Sequence, residues 1–190
     1  MQTSKNIYQF FEQYNGILTT KEINENHIDR KQLNKMAHKG EVNLMKQSVY
    51  WWEKIIPDNE LSMLPRIVPK GVVCLYTAFL YHDLSNFISR QYHLAVPNLV
   101  TLPSYPPIKL HKSDIMDVGA EPILIDNTIV RIYNPSRCLC DALRFEHKLN
   151  AEVVEEVCEN YLHAHNNNRN QLIEYAKRTD VLAKVLKIIS

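Results

Sequence analysis

The chain has 190 residues, a formal net charge of +1 and 45% hydrophobic residues, which suits one medium or two small globular domains. The near-zero charge excludes a protein that binds polyanions over its whole surface, so a nucleic-acid contact must come from a local patch. No apolar run approaches the roughly 20 residues of a membrane span, and residues 1–13 lack the apolar core of a signal peptide. We therefore expect a cytoplasmic protein, without membrane contact, whose four cysteines are reduced.

The N-terminal residues predict a small helical core. Ile7, Phe10, Phe11 and Tyr14 follow the i, i+3, i+4, i+7 spacing of an amphipathic helix. This first helix is predicted to form one wall of a core that two later helices complete.

Two capping signals predict a pair of short helices after it. Thr19, with Glu22 three residues later, forms a capping box. Asp29 then starts a second helix in the same way, and Gly40 stands where the residue after a helix is expected.

The second helix of the pair, residues 29–39, has two different faces. Leu33, Met36 and Ala37 form the apolar face. The outer face carries Arg30, Lys31, Gln32, Asn34, Lys35, His38 and Lys39. Four cations against one anion leave a local charge of +3 in this segment. Such cations suit DNA phosphates and such amides suit base edges in the major groove, although a charged helix face is commonly only solvated surface.

The residues after Gly40 indicate which kind of helix-turn-helix domain this is. Val42 and Leu44 alternate with polar residues, and residues 46–48 suit a turn into a second strand at 49–51. Two strands directly after a helix pair favour a winged helix. The candidate DNA contacts are Thr20, Lys21, Arg30, Lys31, Gln32, Asn34, Lys35, His38, Lys46 and Gln47. Some winged helices bind proteins, so a protein-interaction module without specific DNA binding is the alternative.

Three prolines in residues 54–70 rule out one long helix there. We predict a winged-helix DNA-binding domain at 1–53, a connector at 54–69 with a short helix from Asp58 toward Leu64, and an α+β domain at 70–190.

The run 72–84 lacks strand alternation and is predicted as a mostly buried helix. Strands are predicted at 91–96 and 108–111, with a hairpin at 123–133 that turns at Asp126 and Asn127.

The rest of the second domain, from Ser136 onward, is predicted to form four helices. The predicted fold class is therefore α+β: an N-terminal winged helix-turn-helix followed by a mixed domain of a few strands and a C-terminal set of helices.

The sequence lacks an enzyme signature. Cys138 and Cys140 do not have zinc-site spacing, and neither do His163 and His165, so the cysteines are predicted to be buried thiols. Asp114 and Asp117 could form a paired carboxylate site. We favour the alternative, in which a helix starts at Ser113 and Asp117 is an acidic residue of its first turn. We find no glycine-rich phosphate loop and no nucleophile motif. We predict no enzyme, no catalytic residue, no metal, no cofactor and no cavity where titratable groups converge.

Arg137 and Asp141 stand four residues apart, directly after Asn134 and Pro135. Their spacing predicts a local, exposed ion pair worth a few tenths of a kcal/mol. The alternative is a surface that contacts a partner or substrate, to which Arg144 would also belong.

Several segments, taken in order after the winged helix, resemble the AbiEi antitoxins of bacterial abortive-infection (type IV) toxin–antitoxin systems. They are residues 69–79 (PKGVVCLYTAF), 93–97 (HLAVP), 130–144 (VRIYNPSRCLCDALR) and 172–176 (LIEYA). The resemblance covers nearly the whole chain, and it rests on the order and spacing of the segments together.

This resemblance implies a phage-defence antitoxin that is also a transcriptional autorepressor. The winged helix would bind inverted repeats in the promoter of its own operon, an arrangement compatible with a homodimer on the DNA. Residues 70–190 would counteract a nucleotidyltransferase-like toxin without a stable complex. Arg137, Asp141 and Arg144 are then candidates for an antitoxin surface.

Overall fold

A computed structural model describes residues 6–46, 49–55, 57–99, 102, 106–165 and 168–189. In these ranges the chain is mixed α+β, with helices and two sheets. Of the described residues, those up to Pro69, Leu102 and Leu124–Ile129 form one unit, the N-terminal unit. Lys70–Leu99, Pro106–Ile123 and the residues from Val130 onward form the second, the C-terminal unit.

The N-terminal unit contains helices and a three-stranded sheet. Its elements are α1 (Ile7–Gln13), β1 (Ile17–Leu18), α2 (Thr20–Glu25), α3 (Arg30–His38), β2 (Asn43–Lys46), β3 (Val49–Trp51), a 3₁₀ helix (Glu60–Met63) and α4 (Leu64–Ile67). The strand order is β1-β3-β2, and both pairs are antiparallel.

The capping residues locate the helix starts as predicted. The backbone N–H of Thr19 donates to the Glu22 carboxylate over 2.8 Å before α2. The Asp29 carboxylate accepts from the backbone N–H of Lys31 over 2.8 Å at the start of α3. α3 ends at His38, and Gly40 has a φ of +72°, the left-handed conformation that stops a helix.

One hydrophobic cluster joins α1, α2 and α3. Phe11 of α1 packs in one cluster with Leu18, Ile23 and Leu33, and each of these side chains is at most 1% exposed. The predicted role of the first helix as one wall of the core is confirmed.

Strand β1 has no counterpart in the sequence prediction. Ile17 pairs with Trp51 and Leu18 with Tyr50. Two residues are too few to show an alternating pattern, and the partner strand lies far along the chain, so periodicity carries no signal for this strand.

The residues predicted as a connector, 54–69, belong to the N-terminal unit. Arg66 ties them to it, because its Nη2 donates to the carbonyl of Ile17 and to the carboxylate of Glu22, both over 2.8 Å. The apolar side chains of Leu64 and Ile67 are buried.

The C-terminal unit is built on a five-stranded mixed sheet and four helices that follow it. Its elements are β4 (Val72–Val73), α5 (Leu75–Tyr81), β5 (Tyr92–Val96), β6 (Ile108–Lys112), β7 (Ala120–Ile125), β8 (Thr128–Tyr133), α6 (Pro135–Arg144), α7 (Ala151–Ala164), α8 (Arg169–Arg178) and α9 (Leu182–Ile189), except that the ends of β7 and β8 within Leu124–Ile129 are assigned to the N-terminal unit. The strand order is β6-β5-β4-β8-β7. β4 runs antiparallel to β5 and parallel to β8, and β5 runs parallel to β6.

The predicted helix at 72–84 is wrong in its first residues. Val72 and Val73 form the central strand β4, and α5 begins only at Leu75. Both valines are at most 1% exposed. A central strand that is covered on both faces shows no alternation of apolar and polar residues, so it resembles a buried helix in the sequence.

The predicted helix start at Ser113 is also wrong, since residues 113–119 form turns. The backbone N–H of Ser113 donates to the carbonyl of Val96 over 2.9 Å, so the hydrogen bonding between β5 and β6 continues one residue beyond the end of β6 at Lys112.

The hairpin prediction is confirmed. β7 and β8 are neighbours in the sheet, and the two residues between them, Asp126 and Asn127, have φ values of +46° and +58°. Asp and Asn tolerate this left-handed conformation better than other residues with side chains.

Four helices follow Ser136 in the described residues, as predicted, but the first of them, α6, which the spacing predicts for residues 136–149, ends at Arg144. α6 is buried from Ser136 to Leu143, because α5, α7, α8 and α9 all pack against it. Within the described ranges, none of the helices combines the length and apolar character that crossing a membrane requires.

Candidate functional site

α3 has the two faces that its sequence predicts. Leu33 is fully buried and Met36 is 6% exposed. The side chains predicted to face outward are all exposed: Arg30, Lys31, Gln32, Asn34, Lys35, His38 and Lys39. An α-helix with its side chains is about 10–12 Å in diameter, which fits the width of about 12 Å of a DNA major groove.

The cations of α3 differ in what they contact. Arg30 donates from Nη2 to the Asn24 side-chain oxygen over 2.9 Å, which ties it to α2. The Lys39 ammonium lies 3.8 Å from the Glu41 carboxylate. In the part of the chain that the structure describes, no carboxylate lies within ion-pair distance of Lys31 or Lys35. The positive charges of Lys31, Lys35 and Arg30 are therefore not compensated by a carboxylate of these residues, since the partner of Arg30 is a neutral amide.

Asn34 has a structural task that the sequence did not indicate. Its side-chain oxygen accepts from the Tyr50 hydroxyl over 2.6 Å. Tyr50 is only 3% exposed, and a buried hydroxyl needs such a partner. Burial also raises the pKa of Tyr50, against the opposing charge of Arg30. The oxygen of Asn34 is therefore engaged within the fold.

The other predicted DNA contacts lie beside α3 in the chain. Thr20 and Lys21 are exposed at the start of α2, and the Lys21 ammonium lies 3.9 Å from the Glu25 carboxylate, one helical turn away. Lys46 is the last residue of β2. Its side chain and the whole of Gln47 lie outside the described residues.

In the C-terminal unit, the pair of Arg137 and Asp141 lies in the interior of the protein. Each residue is 2% exposed, and Nε of Arg137 donates to Oδ1 of Asp141 over 2.9 Å. The predicted exposed pair is therefore wrong, because α6 is enclosed by neighbouring helices. Arg144, the third residue of the predicted antitoxin surface, is exposed.

The charge of Arg137 is held by several groups at once. Its Nη1 donates to the carbonyls of Val118, over 2.7 Å, and Ile115, over 3.1 Å. The guanidinium carbon lies 4.1 Å from the centroid of the Tyr133 ring, a cation–π contact. Burial raises the pKa of the Asp141 carboxyl, although the charge of Arg137 opposes this shift.

Gly119 allows this arrangement to pack. Its φ is +72°, and an added Cβ would lie 2.5 Å from Cβ of Arg137. The carbonyl of Gly119 accepts from the backbone N–H of Asn134 over 2.8 Å. The Asn134 side chain in turn caps α6 by accepting from the backbone N–H of Arg137.

A cavity of about 350 Å³ lies beside the buried pair. It is lined by Cys74, Leu75, Ala95, His111, Lys112, Ser113, Asp114, Ile115, Tyr133, Arg137, Asp141, Arg144, Phe145 and Arg178. The sequence analysis predicts no cavity with converging titratable groups, and that prediction is wrong. The lining comes from segments spread over more than 100 residues, which only the folded sheet and helices bring together.

His111, which lines this cavity, contacts a second histidine, His93, and the sequence did not indicate this pair. Nε2 of His111 lies 3.1 Å from Nδ1 of His93, and the rings stack with their centroids 5.0 Å apart. Burial lowers the pKa of each to about 4. Both are therefore neutral at pH 7. Eighteen residues separate them in the chain, so no local spacing reveals the pair.

The predicted buried thiols are confirmed at Cys138 and Cys140, which are at most 1% exposed. Burial raises the pKa of Cys140 to about 12 and that of Cys138 well above its usual value. Among the described residues, no group of three or more His, Cys, Asp or Glu side chains is placed to hold a metal ion. The Asp117 carboxylate accepts from Arg178 over 3.0 Å, and Asp114 lines the cavity.

Comparison of the sequence with models of protein families and with curated proteins gives no match. Function is therefore inferred from the residues and their geometry.

Proposed function

We propose that the chain is a DNA-binding transcriptional repressor whose N-terminal unit is a winged helix that inserts α3 into a major groove. The observation that carries this proposal is the exposed pair of Lys31 and Lys35, which have no carboxylate partner among the described residues. Phosphate contacts by such cations supply most of the affinity of a protein for DNA.

The construction of α3 supports the same function. Leu33 and Met36 fix one side of the helix in the core, so the other side is held in a constant orientation. Gln32 is exposed beside the lysines, and an amide of this kind forms paired hydrogen bonds with adenine. Cations that position the helix and an amide that reads bases are the two parts that specific recognition needs.

The wider role follows from the resemblance to AbiEi antitoxins. In this proposal the protein binds inverted repeats upstream of its own gene, and residues 70–190 counteract a nucleotidyltransferase-like toxin. The order of the four segments that resemble AbiEi antitoxins supports the antitoxin role of residues 70–190. Arg144 is the exposed member of the predicted antitoxin surface, while the burial of Arg137 and Asp141 removes these two residues from that surface.

A gel-shift experiment with the DNA upstream of the gene tests the repressor. We expect the full chain to retard this duplex at low salt in preference to a scrambled duplex of the same length. Lys31→Ala with Lys35→Ala should weaken binding roughly tenfold or more, at about 1 kcal/mol for each cation. The matched control removes two exposed cations elsewhere, Lys54→Ala with Lys177→Ala, and should bind nearly as well as the unchanged chain.

Absence of retardation at low salt would reject the repressor and favour a protein-interaction module. An assay of growth in cells that express the neighbouring toxin separates the two roles. We expect the Lys31→Ala, Lys35→Ala chain to rescue these cells, because the proposed antitoxin function belongs to residues 70–190. Loss of rescue in a folded double variant would contradict this division of roles.

A further inference from the structure

The cavity in the C-terminal unit has an apolar floor and a cationic border. Leu75, Ala95 and Tyr133 are buried apolar or aromatic residues of its lining. Four side chains of the lining carry a permanent positive charge: Lys112, Arg137, Arg144 and Arg178. Two carry a carboxylate, Asp114 and Asp141. The formal charge of the lining is therefore +2, and it repels cations.

Part of this charge is already compensated within the protein. Asp141 is paired with Arg137, and Arg178 lies 3.0 Å from the Asp117 carboxylate. Lys112 and Arg144 are exposed, and no carboxylate of the described residues lies within ion-pair distance of either. Two cations thus remain at the border of the cavity, opposed only by Asp114.

The buried guanidinium adds a directed donor. Nε and Nη1 of Arg137 are bonded to Asp141, Ile115 and Val118. For Nη2, no acceptor occurs among the described residues, although Arg137 is only 2% exposed. Nη2 is not among the fully buried donors that lack a partner, so it reaches accessible space, and the cavity that Arg137 lines is where an acceptor would lie.

We propose that this cavity binds a small molecule through a phosphate group. The phosphate accepts from Nη2 of Arg137 and is neutralised by Arg144 and Lys112, while the apolar floor contacts the rest of the ligand. A volume of about 350 Å³ is at the lower end of the range of small-molecule sites and is too small for a polymer.

A phosphate fits this border better than a carboxylate does. A phosphate monoester carries about −1.5 to −2 charges at pH 7 and has three strong acceptor oxygens. Asp114 offsets one of the two border cations, so the number of acceptors distinguishes the ligands: the three phosphate oxygens match the three donor groups Arg137 Nη2, Arg144 and Lys112, whereas a carboxylate has two oxygens. The exposed guanidinium of Arg144 can also form two parallel hydrogen bonds with phosphate oxygens, which Arg137 cannot, because its Nε and Nη1 are already bonded.

The test is a titration of the ¹⁵N-labelled full chain with inorganic phosphate at pH 7, followed by NMR. We expect saturating shifts of the backbone amides of residues 111–115 and 141–145 and of the Arg137 Nε–H. Sodium chloride and sodium acetate at equal ionic strength should not produce them. Shifts that fail to saturate, or that chloride reproduces, would overturn the proposal, and saturation by acetate alone would show a carboxylate site instead.

Two variants make the test specific. Lys112→Ala with Arg144→Ala removes exposed side chains and should weaken phosphate binding at least tenfold. Arg131→Ala with Arg169→Ala removes two exposed cations outside the lining and should leave binding unchanged. Equal affinity of both variants would contradict the proposed site. The DNA-binding variant Lys31→Ala, Lys35→Ala should bind phosphate normally, so the two proposals fail separately.

Discussion

Arg137 shows how far a single residue can be understood from the sequence. Its spacing from Asp141 correctly indicates an ion pair, and Nε of Arg137 donates to Asp141 over 2.9 Å. Spacing carries no information about depth, however. The pair is buried because three later helices and α5 close around α6, and burial makes the loss of either partner costly, because it leaves an unpaired charge in the interior.

We predict that Asp141→Asn destabilises the protein by about 3 to 5 kcal/mol, because it leaves the Arg137 charge buried without its partner. The free energy of unfolding in urea, followed by circular dichroism, measures this. Glu25→Gln is the matched control, since the pair of Lys21 and Glu25 is exposed, and it should cost less than about 1 kcal/mol.

Replacing both partners, as Arg137→Met with Asp141→Leu, should be less damaging than Asp141→Asn alone, because it removes the uncompensated charge. A cost below about 1 kcal/mol for Asp141→Asn would show that the pair contributes little, which would contradict the role given to its burial.

The helix-capping residues, in contrast to Arg137, were fully predictable from the sequence. Thr19, Asp29 and Gly40 act within a few residues of their position, so local chemistry alone predicts where α2 and α3 begin and where α3 ends. Asn34 is different. Its bond to Tyr50 spans sixteen residues, and only the pairing of the helix with the sheet creates it.

At the scale of elements, helical spacing, caps and turn residues predict most of the structure, and two short strands escape them. α3 was predicted from its caps and the spacing of its apolar residues, and the hairpin of β7 with β8 from the turn residues Asp126 and Asn127 between two apolar runs. β4 was taken for a helix because both of its faces are covered. β1 was missed because two residues contain no period.

The neighbouring strands β5 and β6 bring His93 and His111 together, and this pair gives a pH dependence. Both pKa values are lowered from 6.5 to about 4 by burial. In the unfolded chain these histidines take up protons near pH 6.5. Between pH 6.5 and about 4 the unfolded state therefore binds more protons, and stability falls as the pH falls through this range.

We expect the free energy of unfolding to drop by up to about 1.4 kcal/mol per pH unit for each histidine. Lys109 and Lys148 add to the effect, because their charges also disfavour a protonated His111. Urea titrations at pH 7, 6 and 5 measure the slope. His111→Gln should flatten it, while His163→Gln, at an exposed position, should not. An equal slope in all three chains would contradict this account.

For the whole molecule, composition and pattern correctly predict the α+β class. The cavity was not predictable, because its lining runs from Cys74 to Arg178 and no local motif connects these residues. The α3 surface was partly predictable. Its exposed face follows from helical spacing, but the tie of Arg30 to Asn24 and the pairing of Lys39 with Glu41 required the structure.

The central claim is that the cationic face of α3 binds DNA through phosphate contacts of Lys31 and Lys35. The most direct measurement is the affinity for the upstream duplex as a function of salt concentration. Each phosphate contact adds about 0.9 to the slope of log affinity against log salt. We predict a slope that is smaller by about 2 in the Lys31→Ala, Lys35→Ala chain than in the unchanged chain. An identical slope for the two chains would show that these lysines do not contact the DNA.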